Sequence, residues 1–261
     1  MSLEFSVERG VAVAKLQRPD VLNAFNDELG GKLLEAVEEA ASNESIRCLV
    51  ITGAGKAFSA GEDLGALAGT YESGSAPPLG NTLVDRYNPL IRAIRAAPKP
   101  VVAAVNGVAA GAGASIALAC DFRVASERAK LVLAFIKVGL VPDSGALWLL
   151  SRMVGPATAW RLAATGDPVS ADNALELGLF DRVVAEETFE KEWRAFAEEL
   201  AAGPTRAYAL TKALVNFAAD HSLDEHLDEE VRAQSAAGKT EDHMEGVTAF
   251  LSKRAPNFEG R

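Results

Sequence analysis

The feature that most constrains the fold is an uncharged run of twenty residues, 101–120, with the sequence VVAAVNGVAAGAGASIALAC. About twenty apolar residues can cross a bilayer, so the run first suggests a membrane span. However, eight of these residues are alanine and three are glycine, and the turn dipeptide Asn106-Gly107 lies in the middle. The composition therefore predicts a buried strand over 101–105, a turn, and a small-residue helix over 112–119.

Short apolar runs alternate with helical patterns in the first half of the chain, and helical patterns dominate from Ser144 onward. This alternation predicts an α/β fold of stacked sheets with helices packed outside them. Segment 65–80 is rich in Gly, Ser and Pro and predicts a loop. The other predicted elements are a hairpin through Arg9-Gly10, a helix from Asn26-Asp27 to about Ala41, strands at 48–53 and 122–125, a helix ending near Ala97, a helical break at Gly155-Pro156, and helices within 187–203, 205–220, 222–236 and 240–253.

Two segments, AFSAGEDL at 57–64 and NGVAAGAG at 106–113, place glycine soon after a predicted strand. Each resembles a turn that leaves backbone N–H groups free at the start of a helix. Two such N–H groups converging on one carbonyl oxygen would form an oxyanion hole. Taken alone, each segment is also explained as a tight strand-to-helix turn, and both interpretations stay open at this point.

A phosphate-binding loop is excluded for the nearby segment TGAGKAF at 52–58. Its glycine spacing differs from the pattern G-x-x-x-x-G-K-[ST], and Ala57 stands where that pattern requires Ser or Thr.

Asp143 lies in the segment LVPDSGALWLL at 140–150. One interpretation is that it caps the helix that begins there, because Asp is a favoured N-cap residue. The other rests on its apolar neighbours, which would raise the pKa of the carboxyl and allow it to exchange protons. The local sequence leaves both interpretations open.

Charge and cysteine content limit the partners and the compartment. The 36 Asp and Glu residues exceed the 26 Lys and Arg residues, which gives a net charge of −10. Nucleic acid and anionic membranes bind basic surfaces, so neither is an expected partner, whereas a few local cations could still bind an anionic small molecule. Cys48 and Cys120 lie in apolar runs and the N-terminus has no secretion pattern, so we expect buried free thiols in a cytoplasmic protein.

The three histidines, His221, His226 and His243, all lie in charged helical segments. His221 and His226 are five residues apart, whereas the histidines of a helical zinc pair are four apart and share one face. We therefore expect surface histidines and no metal site.

Several motifs, in this order, resemble the enoyl-CoA hydratase/isomerase, or crotonase, superfamily over nearly the whole chain. They are RPDVLNAFND, AFSAGEDL, KPVVAAVNGVAAGAGAS, ACDFRVAS, GLVPDSG and EGVTAFLSKRAPNFEG. The resemblance implies a crotonase-like spiral of ββα units over 1–200, which binds CoA and carries the catalytic residues. It implies a helical C-terminal region over 201–261 for trimerisation and completion of the CoA site. It also implies an acyl-CoA thioester substrate, no cofactor besides the coenzyme A of that substrate, and a homotrimer or a dimer of trimers.

The same resemblance implies the site residues by position. The oxyanion N–H groups would belong to Glu62 and Ala112, and the catalytic carboxyl to Asp143, the only carboxylate that the sequence places near both N–H groups. The implied substrate- and CoA-binding residues are Ala24, Ala60, Leu64, Gly111, Phe250 and Lys253, of which the last two would reach CoA from the same or a neighbouring subunit.

The reaction is implied by a departure from the family pattern. Hydratases of the family position water with two glutamates, and Ser115 and Phe135 occupy those positions here. Neither side chain exchanges a proton at neutral pH, so isomerisation with Asp143 as the single base is favoured over water addition. The segments IRCLVITGAGKAFSAGEDL and RYNPLIR most resemble family members that rearrange ring-1,2-epoxyphenylacetyl-CoA to oxepin-CoA, with a Δ3-to-Δ2 enoyl-CoA shift as a second activity. The alternatives are an enoyl-CoA hydratase and a non-catalytic scaffold that binds CoA thioesters or RNA.

Overall fold

A computed structural model describes residues 1–261 and contains ten strands in two sheets. The larger sheet has six strands in the order β1-β2-β3-β5-β7-β10, and the smaller has four in the order β4-β6-β8-β9. The strands are β1 (Leu3–Glu8), β2 (Val11–Leu16), β3 (Cys48–Gly53), β4 (Ala57–Ser59), β5 (Val101–Val105), β6 (Val108–Ala110), β7 (Phe122–Ser126), β8 (Lys130–Val132), β9 (Val169–Ser170) and β10 (Arg182–Val184).

Eleven α-helices pack around the sheets. A π-helical turn (Leu83–Tyr87) joins α3 to α4, and 3-10 turns occur at Pro19–Val21, Ala134–Val138 and Glu186–Thr188. The helices are α1 (Asp27–Ser42), α2 (Ala68–Glu72), α3 (Leu79–Thr82), α4 (Asn88–Ala96), α5 (Ala112–Ala119), α6 (Ala146–Thr165), α7 (Ala171–Glu176), α8 (Phe189–Ala201), α9 (Thr205–Phe217), α10 (Leu223–Ala237) and α11 (Glu241–Leu251).

The predicted hairpin and first helix are confirmed, with the local chemistry that the sequence indicates. β1 and β2 pair antiparallel through the two-residue loop Arg9-Gly10, where both residues have positive φ, as the tight hairpin turn requires. The side chain of Asn26 caps α1 by accepting a hydrogen bond from the Leu29 N–H at 3.0 Å. The remaining pairs of the larger sheet are parallel.

The two sheets are built by repeated ββα units, as expected. The pairs β3/β4, β5/β6 and β7/β8 each contribute one strand to the larger sheet and the next strand to the smaller sheet, and helices follow each pair. Each unit therefore turns the chain from one sheet to the other. The points where the chain leaves the smaller sheet, after β4 and after β6, lie next to each other because β4 and β6 pair in parallel.

The smaller sheet and part of segment 65–80 differ from the sequence prediction. Strand Val108–Ala110 lies within the stretch predicted as a turn, because two to three residues are too few to show a period in the sequence. Segment 65–80 is not entirely loop, since it contains the short helix α2 and the start of α3. The predicted break in α6 is confirmed by a non-helical Gly155 with φ 75°.

The uncharged run 101–120 lies at the centre of the main core. Every residue of β5 and of α5 is buried, α5 packing with α4 and α6 beside the sheets. A second apolar cluster lies on the other face of the larger sheet and is covered by α8. Both cysteines are buried and free, as predicted. No helix combines the length and the hydropathy that a membrane span requires.

Candidate active site

A cavity of about 230 Å³ opens where the segment after β4, the start of α5 and the segment before α6 meet. Six residues implied as functional by the sequence line it, namely Ala60, Glu62, Leu64, Gly111, Ala112 and Asp143. The rest of the wall is mostly apolar and consists of Leu79, Thr82, Leu83, Tyr87, Ala134, Phe135, Val138, Leu140 and Val141. Residues separated by some 80 positions in the chain therefore face one cavity.

The backbone around Glu62 is held by a short parallel bridge to Phe25. The Phe25 N–H donates to the Gly61 carbonyl at 2.7 Å, and the Asp63 N–H donates to the Phe25 carbonyl at 2.9 Å. Successive peptide groups of an extended chain point to opposite sides, so the Glu62 N–H points away from Phe25. It donates to no protein acceptor.

The start of α5 provides the second free N–H group. Gly111 precedes the helix with φ 51° and ψ −126°, and its own N–H donates to the Val132 carbonyl at 3.0 Å. The N–H of Ala112, the first residue of α5, has no acceptor, as expected in the first turn of a helix. This end of a helix also carries a partial positive charge that attracts anions.

Gly61 brings the two free N–H groups together, a role that its motif in the sequence did not indicate. A Cβ atom on Gly61 would lie 3.3 Å from the Ala112 nitrogen and 2.9 Å from the Ala110 carbonyl oxygen. Only glycine therefore permits these two backbone segments to approach so closely. The signal was present in the sequence as the glycine of AFSAGEDL, but its spatial neighbour could not be read there. The sequence predicts that the Glu62 N–H lies at the start of a helix. It instead lies in the bridge that follows β4, and the next helix begins only at Ala68.

The interpretation of Asp143 as a helix cap is wrong. α6 begins at Ala146, its N-cap is Gly145, and no side chain caps it. The Asp143 carboxylate instead accepts a hydrogen bond from the Ser144 hydroxyl at 2.8 Å. Burial raises the pKa of the Asp143 carboxyl, the Ser144 hydroxyl lowers it, and the negative charge of Glu62 raises it, so the net shift is upward. A partly buried carboxyl with a raised pKa is suited to exchanging protons.

Two serines fix the backbone and side chain of Asp143. Ser144 is a buried non-glycine residue with φ 53°, an uncommon conformation that aims its hydroxyl at the carboxylate. Ser115 donates from Oγ to the Asp143 carbonyl at 3.1 Å and approaches the Gly111 carbonyl at 3.3 Å. Ser115 thus connects the segment carrying Asp143 to the start of α5.

The expectation that Asp143 is the only carboxylate near the two N–H groups is wrong. Glu62 lines the same cavity, and the charge of its carboxylate acts on Asp143, whereas the family resemblance implied a role only for its backbone N–H. The Glu62 carboxylate accepts hydrogen bonds from Arg86 Nη1 at 2.9 and 2.7 Å and from the Tyr87 hydroxyl. These partners lie in the turn before α4, a region that the sequence analysis treated only as helix.

Three implied binding residues lie outside this cavity. Ala24 is buried, and its carbonyl accepts a hydrogen bond from Arg18, which also pairs with Asp63 at 2.9 Å. Phe250 is 82% exposed and lines a separate groove formed by the C-terminal helices. Lys253 is exposed just beyond the end of α11. A single subunit therefore does not bring the last two residues to the cavity.

The histidines lie away from the cavity, in the C-terminal helical region. His221 and His243 are exposed, as expected. His226 departs from the expectation of a surface residue because its side chain is only 19% exposed, lying near the Phe217 ring and beside Glu230.

Comparison with known proteins gives consistent matches over the whole chain. Residues 6–261 match the profile of a family described as Enoyl-CoA hydratase/isomerase. The chain is 46% identical to 1,2-epoxyphenylacetyl-CoA isomerase of Escherichia coli (strain K12), over 98% of this chain and 97% of that protein. It is 34% identical to crotonyl-CoA hydratase of Syntrophomonas wolfei subsp. wolfei, over 96% of this chain and 95% of that protein.

The fold is similar to solved structures of the same kind. The crystal structure of enoyl-CoA hydratase from Bacillus anthracis matches with a TM-score of 0.93 and 30% identity, over 100% of both chains. The crotonase-like α/β spiral with a helical C-terminal region is thereby confirmed. The relatives are named as isomerases and as hydratases, so their names alone do not select the reaction.

Proposed function

Since the chain belongs to the enoyl-CoA hydratase/isomerase family, we propose that it is an isomerase of acyl-CoA thioesters. The observation that carries the proposal is the arrangement of Asp143 in one cavity with the free N–H groups of Glu62 and Ala112. The Asp143 carboxyl can exchange a proton, and the two N–H groups can stabilise an oxygen anion. Together these groups support proton transfer next to a carbonyl group.

In the proposed reaction the thioester oxygen accepts hydrogen bonds from the N–H groups of Glu62 and Ala112. Asp143 removes a proton from C2 of a 3-enoyl thioester, and the electron pair passes to the carbonyl to form an enolate. The same carboxyl returns the proton to C4, so the double bond moves from C3–C4 to C2–C3. Removing one oxyanion donor costs about 3 kcal/mol of transition-state stabilisation in other enzymes, so both N–H groups matter.

Isomerisation is preferred to hydration because of the residues at the hydratase glutamate positions. Phe135 lines the cavity with an apolar ring, and the Ser115 hydroxyl is engaged with backbone carbonyls. Glu62, the other carboxylate of the cavity, is paired with Arg86 and Tyr87. Asp143 is thus the carboxyl available to move a proton.

The proposed substrate is ring-1,2-epoxyphenylacetyl-CoA, which would be rearranged to oxepin-CoA, with the Δ3-to-Δ2 enoyl-CoA shift as a second activity. The 46% identity to the E. coli enzyme and the largely apolar cavity support this choice. The adenine amino group would donate to the Ala60 carbonyl, Ala24 and Leu64 would line the CoA channel, and no further cofactor is required. Phe250 and Lys253 would contact CoA from a neighbouring subunit of a homotrimer or dimer of trimers.

The test is to incubate the protein with a 3-enoyl-CoA and follow the absorbance of the conjugated thioester. For the wild type, the expected result is a rise in absorbance. For Asp143→Asn, the rate of this rise is expected to be lower by about two or more orders of magnitude, as for loss of a positioned acid–base group. Asp143→Asn keeps the size of the side chain, so the loss of rate would report the loss of proton transfer rather than a change in packing.

Three results would contradict the proposal. Wild-type-like turnover by Asp143→Asn would remove Asp143 from the reaction. Loss of absorbance on adding a 2-enoyl-CoA, with no isomerisation, would identify a hydratase, and binding of the thioester with no reaction at all would identify a scaffold.

A further inference from the structure

Glu62 brings two opposing groups to the same cavity, a free backbone N–H and a negatively charged side chain. The Glu62 side chain is 21% exposed, and its carboxylate pairs with the guanidinium of Arg86, whose side chain is 11% exposed. Arg86 also pairs with Asp27, whose side chain is 96% exposed. Burial lowers the pKa of Arg86, but hydrogen bonds and charge from Asp27 and Glu62 outweigh it and raise the pKa, so Arg86 stays cationic.

Helix α1 provides the space in which Arg86 lies. A Cβ atom on Gly30 would be 2.5 Å from Cδ of Arg86 and 2.6 Å from its Cγ, which is too close for any other residue to be accommodated without movement of Arg86. The next residue, Gly31, has nothing within 4 Å of its Cβ position. Glycine weakens the interior of a helix, and the contact with Arg86 explains its presence at position 30 but not at position 31.

The pairing with Arg86 matters because negative charge develops close to Glu62 during the proposed reaction. The N–H and the carboxylate belong to the same residue, so an oxyanion that accepts a hydrogen bond from the Glu62 N–H is close to the Glu62 carboxylate. Like charges repel strongly in a partly desolvated cavity, so an unpaired Glu62 carboxylate would oppose the stabilisation that its own N–H supplies. A cation fixed behind the carboxylate removes this conflict.

We propose that Arg86 is a positioning residue that holds and neutralises the Glu62 carboxylate, so that the Glu62 N–H can stabilise negative charge on the thioester oxygen. The proposal rests on the proposed function in one respect, that this N–H is an oxyanion donor. It predicts an unusual pattern, since removing one member of a buried ion pair leaves an uncompensated charge, whereas removing both does not.

The first experiment uses cinnamoyl-CoA, a conjugated thioester with no 3-enoyl double bond to isomerise. Hydrogen bonds to its carbonyl oxygen shift its absorbance to longer wavelength, so the shift on binding reports polarisation without turnover. The wild type is expected to produce a red shift, and Arg86→Met a clearly smaller one with Kd changed by no more than about threefold, as for lost polarisation rather than lost binding. The Arg86→Met rate with a 3-enoyl-CoA is expected to fall about tenfold or more, mainly in kcat.

The decisive variant is the double substitution Glu62→Gln/Arg86→Met. It removes the anion together with its cation, so the red shift and kcat are expected to return to within about threefold of wild type. A double variant as impaired as Arg86→Met would mean that Arg86 acts by packing, and that result overturns the proposal. A wild-type red shift and a wild-type kcat in Arg86→Met would overturn the proposal as well.

A glycine pair keeps the proposal testable if Arg86→Met does not fold. Gly30→Ala displaces Arg86 without changing any charge and is expected to reduce the red shift and kcat, whereas Gly31→Ala is expected to leave both at wild-type levels. Equal behaviour of the two variants would contradict the proposal. A wild type that shows the red shift but no isomerase activity would contradict the proposed function alone, because the shift does not depend on turnover.

Discussion

At the scale of single residues, the properties of Asp143 come from its surroundings. Burial and the Glu62 charge raise the pKa of its carboxyl against the opposing Ser144 hydrogen bond. The Asp143 side chain does not cap α6, although the Asp143 carbonyl accepts a hydrogen bond from the Ala146 N–H at 3.0 Å. The carboxyl is therefore held in a state that is unfavourable for the folded protein and useful for proton transfer.

This cost predicts that Asp143→Asn stabilises the protein at neutral pH. The folded-state pKa of Asp143 lies above its unfolded value, so charging the carboxyl reduces stability as pH rises from about 4 through the folded pKa. Asn cannot be charged and avoids that loss. Thermal unfolding should show a higher Tm for the variant at pH 7 and a difference that shrinks as the pH falls toward about 4. A lower Tm at pH 7 would contradict the prediction.

The charge of Glu62 predicts a shift in the pH dependence of the reaction. Glu62→Gln removes the negative charge that raises the pKa of Asp143, so this pKa should fall. If Asp143 acts as the base, the acid limb of the kcat/KM profile should move to lower pH. Asp27→Asn is the control, because Asp27 pairs with the same Arg86 but is exposed at the surface. Coincident acid limbs for wild type and Glu62→Gln would count against the coupling.

At the scale of elements, two backbone segments meet closely enough that several positions accept only glycine. α5 packs against β4 where a Cβ atom on Gly113 would lie 2.7 Å from Cβ of Ser59 and 2.8 Å from its carbonyl oxygen. Ser59 is fully buried, and its hydroxyl bonds to the Asn23 carbonyl and accepts from the Gly61 N–H. The start of α5 and the Glu62 segment are thus placed relative to each other by this contact.

Gly113→Ala is therefore expected to lower both stability and activity. The added methyl group meets backbone and buried side-chain atoms that cannot easily move, and overpacking of this kind costs roughly 1–3 kcal/mol. The displacement would also move the Ala112 N–H, so kcat should fall more than KM changes. Gly69→Ala in α2, where nothing lies within 4 Å of the Cβ position, is the matched control. Chemical unfolding and steady-state kinetics of the two variants would test the difference.

At the scale of the whole molecule, the C-terminal helices carry several large apolar side chains that are exposed in one subunit. The exposed residues include Val231, Met244, Val247, Phe250 and Leu251. Phe250 and Lys253 also lie outside the cavity of their own subunit. These two facts support an assembly in which the C-terminal helices of one subunit contact the next, as proposed for a homotrimer.

The assembly predicts that Lys253→Ala raises KM for acyl-CoA while changing kcat less, which is the pattern of lost uniform binding. The protein has a net charge of −10, so a polyanionic ligand depends on local cations such as Lys253. Lys191→Ala on the exposed face of α8 is the control and should leave KM unchanged. A strictly monomeric protein by light scattering would contradict the shared-site explanation.

The sequence by itself determined the elements whose signals are local. The run 101–120 predicted β5 and α5 with their observed bounds, because small apolar residues without charge suit a fully buried strand and helix. The dipeptide Arg9-Gly10 and the cap Asn26 likewise act on their immediate neighbours. Of the residues that the ordered motifs implied, six line one cavity in the structure.

Only the tertiary structure decided how distant segments face one another. The strands of the smaller sheet have only two or three residues and are stable through pairing with other strands, so their own residues carry too little pattern. The raised pKa of Asp143 and the ion pair of Glu62 with Arg86 depend on contacts between residues far apart in the chain. The need for glycine at 61 likewise depends on the backbone of residues 110–112, whose nearest atom, the Ala110 carbonyl oxygen, would lie 2.9 Å from a Cβ atom on Gly61 in the folded chain.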